Sequence, residues 1–199
     1  MATSAFTSII RLHLVFLHLF LIASCTHGER YPVSIKIFQT SELHFGRCRL
    51  VIDGTCPDPD VKFFLYTRKN PSEPQKVDLS EGMLNLTSSN FNRNHGTKFV
   101  IHGYNSDMHL DVLENIRKAY LEEGEYNVFA VDWSNLCPGP CYPTAVYNTR
   151  FTGKCIAQFI QSLRLQGATD LHVIGFSLGA HVTGFTANNL RPYKLPRIT

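Results

Sequence analysis

The sequence predicts an α/β fold built on a mostly parallel sheet. Short apolar segments rich in β-branched and aromatic residues begin near Val61, Thr97, Tyr126 and Asp170. Stretches of helical periodicity separate the last three of them, and helices of that length between strands imply right-handed βαβ units. "KFVI" and "VFAV" are apolar almost throughout, as strands buried on both faces are. The first strands come without intervening helices, so the sheet is expected to be mixed.

Each element follows from its residues. "VSIKIF" alternates, and predicts an edge strand within 31–45. Residues 53–60, "DGTCPDPD", are turn chemistry. Residues 61–68, "VKFFLYTR", read as a strand, which "KNPSEPQ" ends. Polar sequence then runs to Gly96. Residues 97–104, "TKFVIHGY", give a strand closed by Gly103. From 108 to 123, Leu110, Leu113, Ile116 or Arg117, and Tyr120 recur at spacings of three and four, a helix stopped by Gly124. Its Lys/Glu pairs read as a solvated face. Residues 126–133 form the next strand, and "SNLCPGPCYP" is a proline-held loop. A long helix spans 144–166, with Ile156, Phe159, Ile160 and Leu163 on one face. A strand at 170–176 and a helix at 178–190 follow. "RPYKLP" breaks that helix, and "RIT" reads as the start of another strand. There is no internal repeat and no low-complexity tract.

The composition agrees. With 199 residues, 44% hydrophobic and 18% charged, one globular domain is expected. The formal net charge of +3 comes from scattered basic residues, which argues against nucleic acid. Arg11, the apolar run from Leu12 to Ala23, and the small residues Ala23, Ser24 and Cys25 read as a secretory signal peptide over 1–25. The run is short for a membrane span, and His13 and His18 interrupt it, so no transmembrane segment is expected after its removal. The mature chain is expected to be secreted, with an N-terminal extension over 26–55 and its main domain over 56–199.

In an oxidising compartment the cysteines favour disulfides. Cys56, Cys137, Cys141 and Cys155 are the candidates. The strand near Cys56 would be tied to the Cys137–Cys141 loop and Cys155 to the other loop cysteine, leaving Cys48 as the odd thiol; spacing does not fix the connectivity. Histidines do not cluster with cysteines at zinc-ligand spacing, so no metal is expected. Asn85 heads the sequon "NLT", a candidate glycosylation site.

The chemistry is concentrated in "LHVIGFSLGAHVTGF", 171–185, where Gly175-Phe176-Ser177-Leu178-Gly179 is a G-x-S-x-G match between a predicted strand and a predicted helix. That context is the one a strained elbow needs to present a nucleophilic serine. Gly175 and Gly179 would relieve collisions between strand and helix, and Ala180, Gly184 and Ala187 would keep the helix surface small for packing on the sheet. A serine nucleophile also needs a general base, an orienting acid and two oxyanion donors. The loop His102-Gly103-Tyr104 ends an earlier parallel strand, so the backbone N–H groups of Tyr104 and Leu178 are the candidate donors.

"FVIHGY", "VFAVDW", "HVIGFSLGAH" and "RIT", in this order and at these separations, resemble the extracellular lipases related to pancreatic lipase. The "LCPGPCYP" loop is most similar to the secreted, insect-type, phospholipase-A1-like members. The resemblance covers 56–199. It implies an α/β-hydrolase fold, here incomplete at the C-terminus, and hydrolysis of triacylglycerol or phospholipid esters through an acyl-enzyme. It implies no cofactor, and a lipid or lipid–water interface as the partner. Ser177 matches the nucleophile, and Tyr104 and Leu178 match the oxyanion donors. Phe176 stands where many members have His. "Asp132-Trp133" resembles a recurring structural pair.

In the family the acid follows the strand that "RIT" begins, and a His follows the acid; between Ser177 and Thr199 there is no Asp or Glu, and no His except His181. His181 is one turn along the nucleophile's own helix, badly placed for a base. His102 is expected to brace the oxyanion loop, His172 to be packed in a strand, and His44, His95 and His109 to lie at the surface. The expectation is therefore the N-terminal part of a lipid ester hydrolase, inactive alone. A non-catalytic lipid-binding or storage protein on the same fold is the alternative.

Overall fold

A computed structural model describes residues 41–80 and 83–199. The signal peptide expected over 1–25 and the first part of the 26–55 extension lie outside the described residues. Among those described, a hairpin comes first, β1 (Glu42–Phe45) and β2 (Cys48–Val51), followed by β3 (Lys62–Tyr66). Three two-residue strands follow: β4 (Gln75–Lys76), β5 (Leu79–Ser80) and β6 (Met83–Leu84). The chain continues through β7 (Gly96–Ile101), α1 (Asp111–Glu123), β8 (Tyr126–Asp132), a 3₁₀ turn at Ser134–Leu136 and α2 (Tyr142–Leu165). It closes with β9 (Leu171–Gly175), α3 (Leu178–Asn189) and β10 (Arg197–Ile198).

The main sheet has six strands in the order β10-β9-β7-β8-β3-β4. Pairing is parallel from β10 through β9 and β7 to β8. It is antiparallel from β8 through β3 to β4. The mixed, mostly parallel sheet is the one the sequence predicts, and with its helices it fits an incomplete α/β-hydrolase fold.

Strand alternation sorts the core onto two faces. Phe99, Ile101, Phe129, Val131 and Val173 join Ile156, Phe159, Ile160 and Leu163 of α2 in one cluster. Val100, Val128, Ala130 and Ile174 join Leu113 and Leu121 of α1 in the other. Phe159 anchors the first face, stacked on Phe63 with centroids 3.7 Å apart and edge-on to Phe129 at 5.2 Å. Helices on both faces explain why the central strands are largely apolar, with Thr97, Lys98, Asn127 and His172 as buried polar exceptions.

Some local expectations differ from the structure. The "VSIKIF" segment that suggested an edge strand lies outside the described residues; at the end of the 31–45 stretch, β1 pairs with β2 in a separate ribbon and not with the main sheet. Asn148 of α2 holds it there: its Oδ1 accepts the Val51 N–H at 2.9 Å, and its Nδ2 donates to the Arg49 and Leu136 carbonyls. The polar stretch before Gly96 contains β4, β5 and β6, each too short to show a period. Val77, Leu79 and Leu84 nevertheless reach the main core. Helix α2 starts at Tyr142, before the expected 144, because Pro143 in the first turn gives up no needed N–H. On α1, Arg117 is buried with its guanidinium 3.9 Å above the Tyr66 ring centre. Glu114 and Lys118 form the solvated face, 3.4 Å apart.

The disulfides require a correction. Cys48 pairs with Cys141, and Cys56 with Cys155, while Cys137 is free and buried. The hairpin brings Cys48 over the start of α2, where Cys141 sits. Cys137 instead points inward, its sulfur 3.5 Å from the carbonyl oxygens of Gly103 and Trp133. Both bridges close long loops, with sequence separations of 93 and 99. Replacing Cys56 and Cys155 with alanine should therefore lower unfolding stability by about 2–5 kcal/mol, read by urea denaturation. Thiol titration of the unfolded chain should count Cys137 as free and Cys48 as blocked.

Candidate active site

Strand β9 ends at Gly175, and α3 begins at Leu178. Ser177, between them, has φ 54° and ψ −119°, a region that non-glycine residues avoid. The turn is closed by the Gly179 N–H to the Phe176 carbonyl at 2.8 Å and the Ala180 N–H to the Ser177 carbonyl at 3.0 Å. Phe176 N–H donates to the Ile101 carbonyl at 3.0 Å, which fastens the elbow to β7. Ser177 is exposed, and Phe176 beside it is 47% exposed.

The flanking glycines are required by space. A Cβ on Gly175 would lie 2.2 Å from the Gly179 carbonyl oxygen, and one on Gly179 would lie 2.3 Å from the Ile101 carbonyl oxygen. The other small residues do not act as expected. Gly184 has nothing within 4 Å of a built Cβ, and Ala180 is exposed. Close approach to the neighbouring helix comes from Gly153 of α2, whose Cβ would meet Phe185 and the Val182 carbonyl at 2.6 and 2.9 Å.

The loop after β7 meets the elbow. A Cβ on Gly103 would sit 2.9 Å from Ser177 Cβ and 3.4 Å from the Leu178 nitrogen. The structure thus brings Gly103, the residue before Tyr104, against Ser177 and Leu178. Among the described residues, neither the Tyr104 nor the Leu178 N–H has an acceptor. Tyr104 is half-buried, its ring edge-on to Tyr142 at 5.0 Å.

The other titratable candidates fall elsewhere. His102 is fully buried. Its Nε2 accepts the Trp133 N–H at 3.0 Å, and its Nδ1 is 2.9 Å from the Gly103 oxygen. Both ring nitrogens are committed, so no lone pair is left to receive a serine proton. Asp132 lies 3.5 Å from Nε2 and accepts the Ser134 N–H at 3.0 Å. Burial opposes its charge. The neighbouring His102 ring and Ser134 outweigh that, holding the carboxyl well below the ordinary carboxylate range. Because the Trp133 N–H already occupies Nε2, Ser134 is the donor that matters. His181 is exposed on α3, His44 and His109 are exposed, and His95 is half-buried.

His172 is buried between the Tyr120 hydroxyl, 3.1 Å from Nδ1, and Thr199 Oγ1, 2.9 Å from Nε2. Burial, then the charges of Arg197 and Lys98, pull its pKa from 6.5 to about 4, with Asp170 opposing. The unfolded chain therefore binds this proton more readily than the folded one. Stability from neutral His172 is full above the ordinary value near 6.5 and is lost as pH falls towards about 4. Urea unfolding across that window should show the loss, and His172→Gln should flatten it.

Trp133, Cys137 and Asn105 take part in shaping the loop, and sequence reasoning assigned none of them that part. Cys137 read as a disulfide candidate because a cysteine in an oxidising compartment usually is one. The only warning was the odd count.

With this geometry in place, the sequence comparisons decide the family. The sequence model described as Lipase matches residues 42–199. The chain belongs to the lipase family. It is 34% identical over 136 residues to pancreatic lipase-related protein 2 of Bos taurus, covering 67% of this chain and 29% of that protein. It is 36% identical over 132 residues to lipase member H of Xenopus tropicalis, covering 63% and 27%. It is 33% identical over 130 residues to pancreatic triacylglycerol lipase of Homo sapiens, covering 64% and 27%. The matched part thus spans under a third of each lipase. Among the described residues no helix is long and apolar enough to cross a membrane, and no group of His, Cys, Asp or Glu is placed to hold a metal ion.

Proposed function

We propose that this chain carries the nucleophile and the oxyanion site of a secreted hydrolase of lipid carboxylic esters. Ser177 Oγ attacks the ester carbonyl carbon. The carbonyl oxygen, now negative, is received by the Tyr104 and Leu178 N–H groups. Collapse expels the alcohol and leaves an acyl-enzyme, which water hydrolyses to free fatty acid. The observation that carries this reading is the exposed, positive-φ Ser177 packed against Gly103, with the Tyr104 and Leu178 N–H groups lacking acceptors among the described residues. Family membership supports ester hydrolysis, and the disulfides suit an extracellular protein.

The serine proton needs an acceptor, and no described residue offers one. We assign the acid and the base to parts of the lipase fold that this chain does not cover, and the acyl pocket with them. Triacylglycerol and the sn-1 ester of a phospholipid are the substrate classes. A product that continues past Thr199 through an acid and a His should release fatty acid from at least one of them. Tight lipid binding with no release from either would favour the non-catalytic lipid-binding alternative.

A further inference from the structure

We propose that His102 is a positioning residue for the oxyanion site: it aims the Tyr104 N–H through the peptide plane that this N–H shares with the Gly103 carbonyl. The proposal rests on the reading of Ser177 as the nucleophile. The Gly103 carbonyl and the Tyr104 N–H belong to one planar trans peptide and point in opposite directions. Whatever holds the oxygen therefore aims the hydrogen.

The oxygen is held by His102. The Trp133 N–H donates to Nε2 at 3.0 Å, and a nitrogen that accepts this bond carries no proton. The proton of the neutral ring is then on Nδ1, which donates to the Gly103 oxygen at 2.9 Å. The ring itself is immobilised. It is fully buried, it stacks on the Trp133 indole with centroids 5.6 Å apart, and the indole Nε1–H donates to the His102 carbonyl at 2.9 Å. The Cys137 thiol stands 3.5 Å from the same Gly103 oxygen, and burial pushes its pKa up to about 12, so it stays a thiol.

The far side of Tyr104 is tied as well. The Asn105 N–H donates to the Cys137 carbonyl at 2.8 Å, and Asn105 Oδ1 accepts the Gly139 N–H at 2.8 Å. Asn105 is held at φ 50°. Both peptides flanking Tyr104 are thus fixed, and of their two N–H groups that of Tyr104 has no acceptor among the described residues, while the Gly103 Cα next to it packs on Ser177. A donor fixed in advance stabilises an oxyanion without reorganising during reaction. The bond to the Gly103 oxygen also polarises that peptide, which strengthens its N–H as a donor.

The test begins with the unmutated chain. Nitrogen-15 spectroscopy of the His102 ring should find the proton on Nδ1; a proton on Nε2 alone would overturn the proposal. Two variants then separate positioning from space-filling. In His102→Asn the side-chain amide takes the place of Nδ1 and keeps a donor for Gly103. In His102→Gln it reaches toward Nε2 and does not. The Tyr104 amide resonance should be kept in the Asn chain and displaced in the Gln chain. Labelling of Ser177 by an alkyl fluorophosphonate should slow about 100-fold in the Gln chain, the loss typical of one oxyanion donor, and under about 5-fold in the Asn chain.

If His102 only filled space, the larger Gln would be the milder change, and that order would overturn the proposal. An unmutated chain that takes no label at Ser177 would count against the nucleophile reading instead; the tautomer and the Tyr104 resonance would still decide the clamp. If neither variant folds, the tautomer decides it alone.

Discussion

Ser177→Ala should lower fatty-acid release by about 10⁵–10⁶-fold in a product that carries an acid and a His beyond Thr199, the loss seen when a triad serine is removed. Only the hydroxyl is lost, because alanine keeps the Cβ and the elbow stays closed by backbone bonds from Gly179, Ala180 and Phe176. The 199-residue chain should behave differently. On the proposed reading it has the nucleophile and the oxyanion donors but no base among the described residues, so its turnover should stay within about 10³–10⁴-fold of water, and Ser177→Ala should change it little. Expressing both lengths and measuring release from a phospholipid and a triacylglycerol checks this. Robust, Ser177-dependent turnover by the short chain would contradict the account. It would require a base among the described residues, where both nitrogens of His102 are already taken.

Gly175→Ala and Gly179→Ala should each destabilise the fold by more than about 3 kcal/mol, at the upper end of overpacking costs. The atoms a new methyl would strike are backbone. They are the Gly179 carbonyl oxygen at 2.2 Å for Gly175, and the Ile101 and His102 carbonyl oxygens at 2.3 and 2.7 Å for Gly179. No rotamer change removes such a clash, so β9, α3 or β7 must shift. The same substitution at Gly184 is the control. It is helical and exposed, with nothing within 4 Å, so alanine there should stabilise by about 0.5–1 kcal/mol. Urea midpoints for the three variants give the comparison. Equal effects at Gly179 and Gly184 would mean that the elbow is looser than its contacts imply.

The parallel core was legible because it rests on period and burial. "KFVI", "VFAV" and "LHVIG" are apolar almost throughout, with Lys98 and His172 the exceptions, and that is enough to place β7, β8 and β9 at the centre. The elbow was legible because G-x-S-x-G falls where strand meets helix. What escaped depends on contacts distant in sequence. Two-residue strands show no alternation, so β4 to β6 were invisible. Which cysteines pair depends on how the hairpin folds over α2, and nothing in the spacing of Cys48 and Cys141 encodes that. Ala180, Gly184 and Ala187 suggested a packed helix face, yet the burial falls on Val182, Thr183 and Thr186. Residues of similar size leave the direction of a helix face undetermined. The commitment of both His102 nitrogens was equally out of reach, since the partner of Nε2 lies at Trp133.

The most direct test of the account is the location of a mechanism-based adduct. The protein is treated with a long-chain alkyl fluorophosphonate, digested, and mapped by mass spectrometry. Attack by a serine oxygen displaces fluoride and leaves the phosphonate on that oxygen. The account predicts an adduct on Ser177 alone, slow in the 199-residue chain and fast in a product carrying an acid and a His beyond Thr199. An adduct on another serine, or none on Ser177 in either length, would contradict it.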